Sequence, residues 1–218
     1  IDAIILTHAH LDHSGLIPYL YKMGYKGPVY MTAPTRDIAS LMALDFIGVA
    51  YKQAAAPLFK SNDIRDMVKH SITLNYGEVT DITPDVRITL YNAGHTLGSA
   101  MIHFNIGNGL HNYVYTGDIK FGKSRSLEPA NNYFPRLETI QVEATYGGKD
   151  DNYAPPIDSE EELIRFTNDV LSCGGRLLFP ELGTGHAQEK MLMLEDAMSR
   201  GKIPKVPIYI DGMIWDIN

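Results

Sequence analysis

The densest group of reactive side chains lies near the start of the sequence. The segment His8-Ala9-His10-Leu11-Asp12-His13 holds three of the eight histidines and a carboxylate within six residues. Imidazole nitrogens and carboxylate oxygens are good ligands for zinc. The spacing lets His8 and His10 point one way and Asp12 and His13 another, which suits two neighbouring metal ions better than one. Because two such ions can clamp a phosphoryl centre, the segment predicts a two-metal hydrolytic site.

The flanking residues predict where this segment lies in the fold. An apolar run at residues 1–6 predicts a buried strand, and residues 14–20 predict a turn that enters a helix. Ligands of open α/β folds bind at the carboxyl ends of strands. The alternative is a polar loop with incidental histidines, but four ligand-type side chains directly after a strand favour the metal site.

Three further imidazole or carboxylate side chains each follow a predicted strand. The strands are Val86–Asn92 before His95, Tyr113–Thr116 before Asp118, and Thr139–Val142 before Glu143. A site built from several strand ends is the layout expected of an enzyme on a rigid sheet. Taken alone, Asp118 could serve only a turn, and Glu143 could be a helix-cap or salt-bridge carboxylate.

The sequence changes character near residue 150. Before it, we expect a helix at 16–22, a second at 33–51 capped by Thr32, and a third that Ser61 or Asn62 caps and that runs through His70. We also expect a strand at 28–31 and a hairpin strand at 100–106 that turns at Asn108-Gly109. Residues 150–156 are polar and proline-bearing, which predicts a crossover into a second unit. There, a capping box at Ser159 and Glu162 predicts a helix start, and strands at 176–180 and 206–210 flank a helix at 187–200. This alternation implies a parallel sheet.

Composition excludes several classes of protein. The 218 residues are 44% hydrophobic, which suffices for a core in one or two domains. A net charge of −7 argues against a simple basic nucleic-acid-binding surface, but not against a phosphate substrate, since bound zinc would bring local positive charge. A single cysteine, Cys173, excludes an intramolecular disulfide and fits a reducing, cytoplasmic location. No apolar run approaches the length of a membrane span, and no signal peptide is evident.

The motifs resemble those of a known superfamily. The string THAHLDHSG around His8 resembles the second signature motif of the metallo-β-lactamase superfamily, GHTLGSA around His95 its third, and YTGDIKF around Asp118 its fourth. VEATYGG around Glu143 resembles motif A of the β-CASP branch of RNA-processing nucleases. Residues 185–189 and 208–215 resemble segments of the inserted β-CASP domain. Within that branch, the likeness is to archaeal homologues of the cleavage and polyadenylation specificity factor nuclease.

This resemblance implies a fold and an activity. The expected fold is α/β, with an incomplete metallo-β-lactamase αββα sandwich over residues 1–147. The first part of an inserted β-CASP α/β domain with a parallel sheet would follow over residues 148–218. The expected activity is that of a zinc-dependent endoribonuclease, and also of a 5′-to-3′ exonuclease, acting on single-stranded RNA in RNA 3′-end processing. A homodimer is expected as well.

The resemblance also implies roles for the site residues. It implies two zinc sites, the first held by His8, His10 and His95 and the second by Asp12 and His13, with Asp118 bridging the two. Glu143 would orient a neighbouring histidine by a hydrogen bond. The catalytic residues are thus expected to be Asp12, Asp118 and Glu143.

The sequence departs from the family pattern in two respects. Position 186 is His where the family usually has Arg. The family's motif one precedes the part covered by this sequence, and its motif B and C histidines follow it. Because motif C supplies a ligand to the second zinc, we expect the second site to be incomplete.

Two other functions fit the same residues. The first is a metallo-β-lactamase-fold hydrolase of a lactam, thioester or lactone, since the same metal chemistry serves those electrophiles. The second is an inactive fragment that binds metal or RNA, which the absent motif C ligand supports. Turnover of nitrocefin or a thioester that outperforms RNA would favour the first. Strong RNA binding without turnover, unchanged by zinc removal, would favour the second.

We expect the two metal sites to differ in affinity. Three imidazoles and a water complete a tetrahedral zinc site, whereas the second site, one protein ligand short, would hold a more hydrated ion loosely. Metal analysis after dialysis should therefore give nearer one zinc than two per chain. His95→Ala should abolish the retained metal, and His13→Ala should change it little. Two equivalents of tightly held zinc, or retention unaffected by His95→Ala, would contradict this assignment.

Overall fold

The computed structural model describes residues 1–151 and 156–217. The described chain divides into two compact units, the first formed by residues 1–123 and 127–143 and the second by residues 124–126 and 144 onward. The crossover predicted at 150–156 lies mostly outside the described residues. Among those described, no helix is both long enough and apolar enough to span a membrane.

The first unit contains four helices and eight strands. In chain order they are β1 (Ile4–Ile5), α1 (Leu11–Ser14), α2 (Ile17–Lys22), β2 (Val29–Met31), α3 (Ala33–Lys52), α4 (Ser61–Lys69), β3 (Ser71–Thr73), β4 (Val79–Thr83), β5 (Val86–Asn92), β6 (Ala100–Ile106), β7 (His111–Tyr115) and β8 (Thr139–Gln141). The strands form a parallel three-stranded sheet in the order β1-β2-β3 and a five-stranded sheet in the order β4-β5-β6-β7-β8. The second sheet is antiparallel except for its β7–β8 pair.

Alternating side chains build the five-stranded sheet. Ala100 and Ile102 of β6 face one side, and Met101 between them faces the other, as the two-residue period of a strand requires. The first side packs in a buried cluster that both sheets supply, comprising Tyr30, Leu74, Ile88, Leu90, Ala100 and Ile102. The other side is covered by the segment after β7, through Ile119, Ala130 and Phe134. The chain thus has the mixed α/β fold expected from the sequence.

Helix starts in the first unit follow local capping chemistry. The Thr32 side chain accepts the N–H of Thr35 at 3.3 Å, so α3 begins where the sequence predicts. The start of α4 is different, because the Asp63 carboxylate accepts the N–H of Lys60 at 2.7 Å. Lys60 therefore precedes the helix, and the predicted caps at the next two residues are wrong by one or two positions.

The regular secondary structure in the described part of the second unit consists of helices. Its elements are α5 (Pro156–Ser172), α6 (His186–Ser199) and α7 (Met213–Ile217). Leu194, Ala197 and Ile203 form its buried cluster. The capping box predicted at Ser159 is wrong, since α5 begins at Pro156 and Ser159 lies inside its first turns.

The strands predicted in the second unit are also absent from the described residues. Residues 176–180 and 206–210 have no regular secondary structure and pair with no other described segment. Leu178 is 90% exposed and Tyr209 is 89% exposed, so neither side chain packs as a sheet residue would. A strand is defined by its partner, and an apolar pattern alone supplies none.

Carboxylates hold the short segment of the second unit that interrupts the first. The Arg125 guanidinium donates to Glu160 at 2.7 Å and faces Asp196 at 3.2 Å. The Glu189 carboxylate accepts the backbone N–H of Arg125 at 2.6 Å and that of Ser126 at 3.2 Å. Charge-assisted hydrogen bonds of this kind are stronger than neutral ones, so the segment is firmly attached to α5 and α6.

A carboxylate also satisfies a buried amide in the five-stranded sheet. The Glu138 carboxylate accepts the backbone N–H of Asn112 at 2.6 Å and its side-chain amide at 3.0 Å. Asn112 is 1% exposed and also accepts from Asn105 at 3.0 Å. The hydrogen bond from the Asn112 side chain, assisted by Arg136, lowers the pKa of Glu138 from its ordinary 4.5 to about 2.

Glu138→Gln should therefore lower stability in a pH-dependent way. Because the pKa of Glu138 is lower in the folded state, its ionised form stabilises the fold above about pH 4.5, and this contribution disappears as the pH falls towards 2. Urea unfolding should show a lower midpoint for Glu138→Gln at pH 7 and a smaller difference at pH 3. Glu128→Gln, which breaks an exposed pair with Lys123, is the matched control and should change little at either pH. A pH-independent loss for Glu138→Gln would contradict the role of its charge.

Candidate metal centre

The first ligand segment occupies a strand end followed by one turn of helix. Pairing of β1 continues to Leu6, whose N–H donates to the Tyr30 carbonyl at 2.9 Å. The Thr7 carbonyl then accepts the N–H of Ala100 at 2.8 Å, which joins this strand end to the start of β6. Helix α1 follows, and its first turn carries Asp12 and His13. The predicted strand-to-helix position of the cluster is thus confirmed, but the buried strand predicted over residues 1–6 is wrong in extent, since β1 covers only Ile4–Ile5 and is half-buried.

His95 lies in the loop that connects β5 to β6. The Ala93 N–H donates to the Ser99 carbonyl at 3.0 Å and closes the base of this loop. The Ser99 side-chain oxygen accepts the N–H groups of both His95 and Thr96 at 3.1 Å. Ser99 is fully buried, so this oxygen fixes the backbone at His95 without competition from water.

Asp118 follows β7 through a turn that only glycine accommodates well. Gly117 has φ +54°, and a Cβ on it would lie 2.8 Å from Cβ and Oγ1 of Thr7. The close approach of Gly117 to Thr7 brings the Asp118 carboxylate beside the histidines of the first segment. One turn thus places a carboxylate from the five-stranded sheet against ligands from the three-stranded sheet.

Four of the predicted ligands converge. One ligand atom from each of His8, His10, His95 and Asp118 lies within 4.8 Å of the other three. His95 Nε2 lies 3.2 Å from His10 Nδ1 and 3.5 Å from Asp118 Oδ2, and His8 Nε2 lies 3.7 Å from the same oxygen. Ligand atoms of a tetrahedral ion at 2.0–2.1 Å are separated by about 3.4 Å. These residues therefore fit a single divalent metal ion.

The other two predicted ligands do not belong to this group of mutually close atoms. His13 Nε2 lies 3.5 Å from Asp118 Oδ1, and Asp12 Oδ2 lies 3.4 Å from His13 Nε2. The two oxygens of Asp118 therefore face different histidines. Asp12 is more open than the rest, with 76% of its side chain exposed, whereas the Asp118 side chain is 27% exposed.

Two histidines of the group, His8 and His95, have lowered pKa values. Burial, with added repulsion from His13, His10 and His95, lowers the pKa of His8 to about 2. Burial also lowers the pKa of His95, with Asp118 and Glu143 acting in the opposite direction. Neutral imidazole is the form that binds metal ions.

A contact with Thr7 is compatible with the tautomer that a metal at His8 requires. Thr7 Oγ1 lies 3.1 Å from His8 Nδ1. If Nδ1–H donates to Thr7, the lone pair of Nε2 is available to a metal ion. His8 Nε2 is buried and has no hydrogen-bond partner among the described residues. A bond to a metal ion would satisfy this buried nitrogen, which is costly to leave without a partner.

Glu143 and a small pocket border the centre. Glu143 Oε1 accepts the N–H of Ile119, next to Asp118, at 3.3 Å, and the Glu143 N–H donates to Thr116 Oγ1 at 3.2 Å. A pocket of about 170 Å³ opens beside them. Its lining comprises His13, residues 115–118 and residues 141–143. The ends of β7 and β8 thus form a cleft directly next to Asp118.

Comparison with known proteins identifies the family. The profile of the metallo-beta-lactamase superfamily domain matches residues 1–141. The chain belongs to the metallo-β-lactamase superfamily. This finding confirms the resemblance of the His8, His95 and Asp118 motifs. The metallo-β-lactamase fold implies a divalent metal, in agreement with the convergent ligand group.

The chain is similar to transcription termination factors of several archaea. The transcription termination factor FttA of Methanothermobacter thermautotrophicus is 54% identical over 218 residues, which cover 100% of this chain and 34% of the relative. FttA of Pyrococcus abyssi is 52% identical over 217 residues, with 99% and 33% covered. FttA of Methanocaldococcus jannaschii is 50% identical over 216 residues, with 99% and 34% covered. The predicted likeness to archaeal β-CASP proteins is confirmed, and the chain spans about a third of the length of these relatives.

Three residues that support the ligands could not be predicted from the sequence alone. Thr7 contacts the ring of His8, Ser99 binds the backbone at His95, and Gly117 permits the approach of Asp118. Each lies within a few residues of a metallo-β-lactamase ligand, and that proximity was the available signal. Threonine, serine and glycine are common in ordinary turns, however, so residue type alone did not distinguish them.

Gly117→Ala should cost more stability than the same change at an open position with similar backbone. Gly77 has φ +77° and nothing within 4 Å of an added Cβ, so Gly77→Ala should lose only about 1–2 kcal/mol from backbone strain. Gly117→Ala adds a clash with Thr7, and the combined loss should reach about 3 kcal/mol or more. Urea unfolding of both variants measures the difference. Equal losses would show that the contact with Thr7 is relaxed cheaply.

Proposed function

We propose that the protein is a zinc-dependent hydrolase that cleaves RNA phosphodiester bonds. The observation that carries this proposal is the convergence of three imidazoles and a carboxylate, whose ligand atoms all lie within 4.8 Å of one another. Membership of the metallo-β-lactamase superfamily supports hydrolysis as the reaction class. Similarity to archaeal transcription termination factors supports a nucleic acid produced by transcription as the substrate.

Zinc suits the donor set better than a harder ion. His8, His10 and His95 would hold one ion with Asp118, and Asp12 and His13 would hold a second, with Asp118 shared between them. Imidazole nitrogens favour zinc, whereas magnesium and calcium favour sites made only of oxygen. When bound, the ions supply Lewis acidity towards a phosphoryl oxygen and towards water.

Asp118 and Glu143 would position the metal ligands and supply negative charge to this centre. The two oxygens of Asp118 face His95 and His13 respectively, so one side chain can serve both ions. Glu143 holds the backbone N–H of Ile119, which keeps the adjacent Asp118 in place. The negative charge of Glu143 also favours a positive charge on His95 or near it.

The charge of the site favours binding of a phosphate substrate only when metal ions are bound. Asp12, Asp118 and Glu143 carry three negative charges, and two divalent ions would carry four positive ones. The protein's net charge is −7, so a phosphate gains no general attraction from the rest of the surface. Lys120 and Phe121, just after Asp118, are exposed, and Phe121 is 59% exposed. A cation and an exposed ring are the groups that bind phosphate and base of single-stranded RNA.

Asp118→Asn should abolish most RNA cleavage while leaving the fold intact. Neutralising Asp118 removes a charge from both ion sites, so the rate on labelled single-stranded RNA should fall by at least about a hundredfold. A chelator should stop the wild-type reaction, and added zinc should restore it. The matched control is Asp81→Asn, an exposed aspartate paired with Arg87, which should retain wild-type activity.

Two results would contradict the proposal. Strong RNA binding that persists without zinc and without any turnover would favour a binding fragment. Nitrocefin or thioester hydrolysis faster than RNA cleavage would favour a different substrate class. Exonuclease activity, the homodimer and the cytoplasmic location remain predictions from the sequence.

A further inference from the structure

Three side-chain hydroxyls from distant parts of the first unit meet at two carbonyls next to His95. The Gly98 carbonyl accepts from Thr32 Oγ1 at 2.7 Å and from Thr35 Oγ1 at 2.9 Å. The Ser99 carbonyl accepts from the Tyr76 hydroxyl at 2.8 Å. No metal contact requires any of these hydroxyls, so their convergence on one short loop calls for another explanation.

The two threonines belong to a rigid element. Thr32 is the N-cap of α3, a helix of 20 residues, and Thr35 lies in its first turn. Thr35 is fully buried and Thr32 is 4% exposed, so water cannot replace their hydroxyls. Gly98 has φ +81°, and a Cβ on it would lie 2.6 Å from Thr32 Oγ1. The absence of a side chain therefore allows the loop to lie directly on the helix start.

Tyr76 holds the same loop from another side. The residue is about half exposed, but partial burial raises the pKa of Tyr76 to about 12. The hydroxyl thus keeps its proton and donates it to the Ser99 carbonyl across the physiological pH range. That carbonyl also accepts the N–H of Ala93, so both of its lone pairs are used within the protein.

The fixed loop transmits this constraint to His95. The Ser99 side-chain oxygen accepts the His95 N–H at 3.1 Å, so a shift of Ser99 moves the backbone that carries the imidazole. His95 Nε2 lies only 3.2 Å from His10 Nδ1. At such separations, a displacement of a few tenths of an ångström changes whether both nitrogens can reach one ion.

We propose that Thr32, Thr35 and Tyr76 are positioning residues that set the metal affinity of the centre through His95. The inference rests on the proposed role of His95 as a metal ligand. The hydroxyls fix the loop from the rigid start of α3 and from Tyr76, so the site is preorganised before metal arrives. Removing one hydroxyl should leave the fold but let the loop relax. Loss of an outer hydrogen-bond partner typically lowers metal affinity by about 10–100-fold.

The experiment compares two tyrosines with the same kind of hydrogen bond. Tyr76→Phe removes the bond to Ser99, whereas Tyr21→Phe removes a bond of equal length, 2.8 Å, to the Gly27 carbonyl. Co²⁺ and Zn²⁺ dissociation constants are measured by competition with a chelator, and the Co²⁺ visible spectrum reports ligand geometry. Tyr76→Phe should weaken affinity by about tenfold or more and alter the spectrum. Tyr21→Phe should leave both within twofold of wild type.

Threonine variants test the helix side of the same loop. Thr35→Val keeps the shape but removes the hydroxyl, and it should weaken Co²⁺ binding by about tenfold. Thr35→Ser restores a hydroxyl and should recover most of the affinity. Thr167→Val is the matched control, because Thr167 is equally buried and donates to the Leu163 carbonyl in the second unit. Urea unfolding without metal confirms that all variants are folded.

His95→Ala separates the two hypotheses. If it abolishes Co²⁺ binding while Tyr76→Phe and Thr35→Val leave the dissociation constant unchanged, the positioning role is wrong and the metal site stands. If His95→Ala leaves Co²⁺ binding unchanged, the proposed metal site is wrong, and the positioning role falls with it. Equal weakening by Tyr76→Phe and Tyr21→Phe would also overturn the inference, since it would indicate a general loss of stability.

Discussion

The hydrophobic contact between the two sheets of the first unit determines where the ligands lie. Tyr30 and Leu74 pack against Ile88, Leu90 and Ile102, all of them at most 7% exposed. Once these side chains are buried, the register of each strand is fixed, because a slip by one residue would turn every core side chain outwards. The strand ends are fixed with it. The metal centre is therefore a consequence of core packing, with local hydrogen bonds providing the final adjustment.

Much of the candidate site could be predicted because its ligands are sequence-local or follow clear strands. His8, His10 and His13 come from one segment, and β5 and β6 have the bounds that their alternation indicates. The supporting contacts could not be predicted in the same way. Thr35 and Gly98 are 63 residues apart in sequence, and their hydrogen bond exists only after the sheets have packed. The sequence pattern predicts the strands and helices, whereas tertiary packing determines which loops contact each other.

In the second unit, the sequence pattern predicts strands and a helix start that the described residues do not show. Residues 176–180 and 206–210 have the apolar run of a strand but no backbone partner among the described residues. At Ser159, a correct capping-box spacing lies inside a helix that begins earlier at Pro156. Both errors arise because hydrogen bonds and helix starts depend on what surrounds a segment, and local sequence records only part of that.

The segment around Arg125 makes both units discontinuous along the chain. The chain leaves the first unit at residue 124 and returns to it at residue 127, so cutting the chain at one position cannot separate the two units. An excised second unit would keep Glu160 and Asp196, with side chains 14% and 23% exposed, but lose the guanidinium that neutralises them. Carboxylates left without their cation are costly. A boundary drawn at one position in the sequence would therefore leave one of the two units without part of its chain.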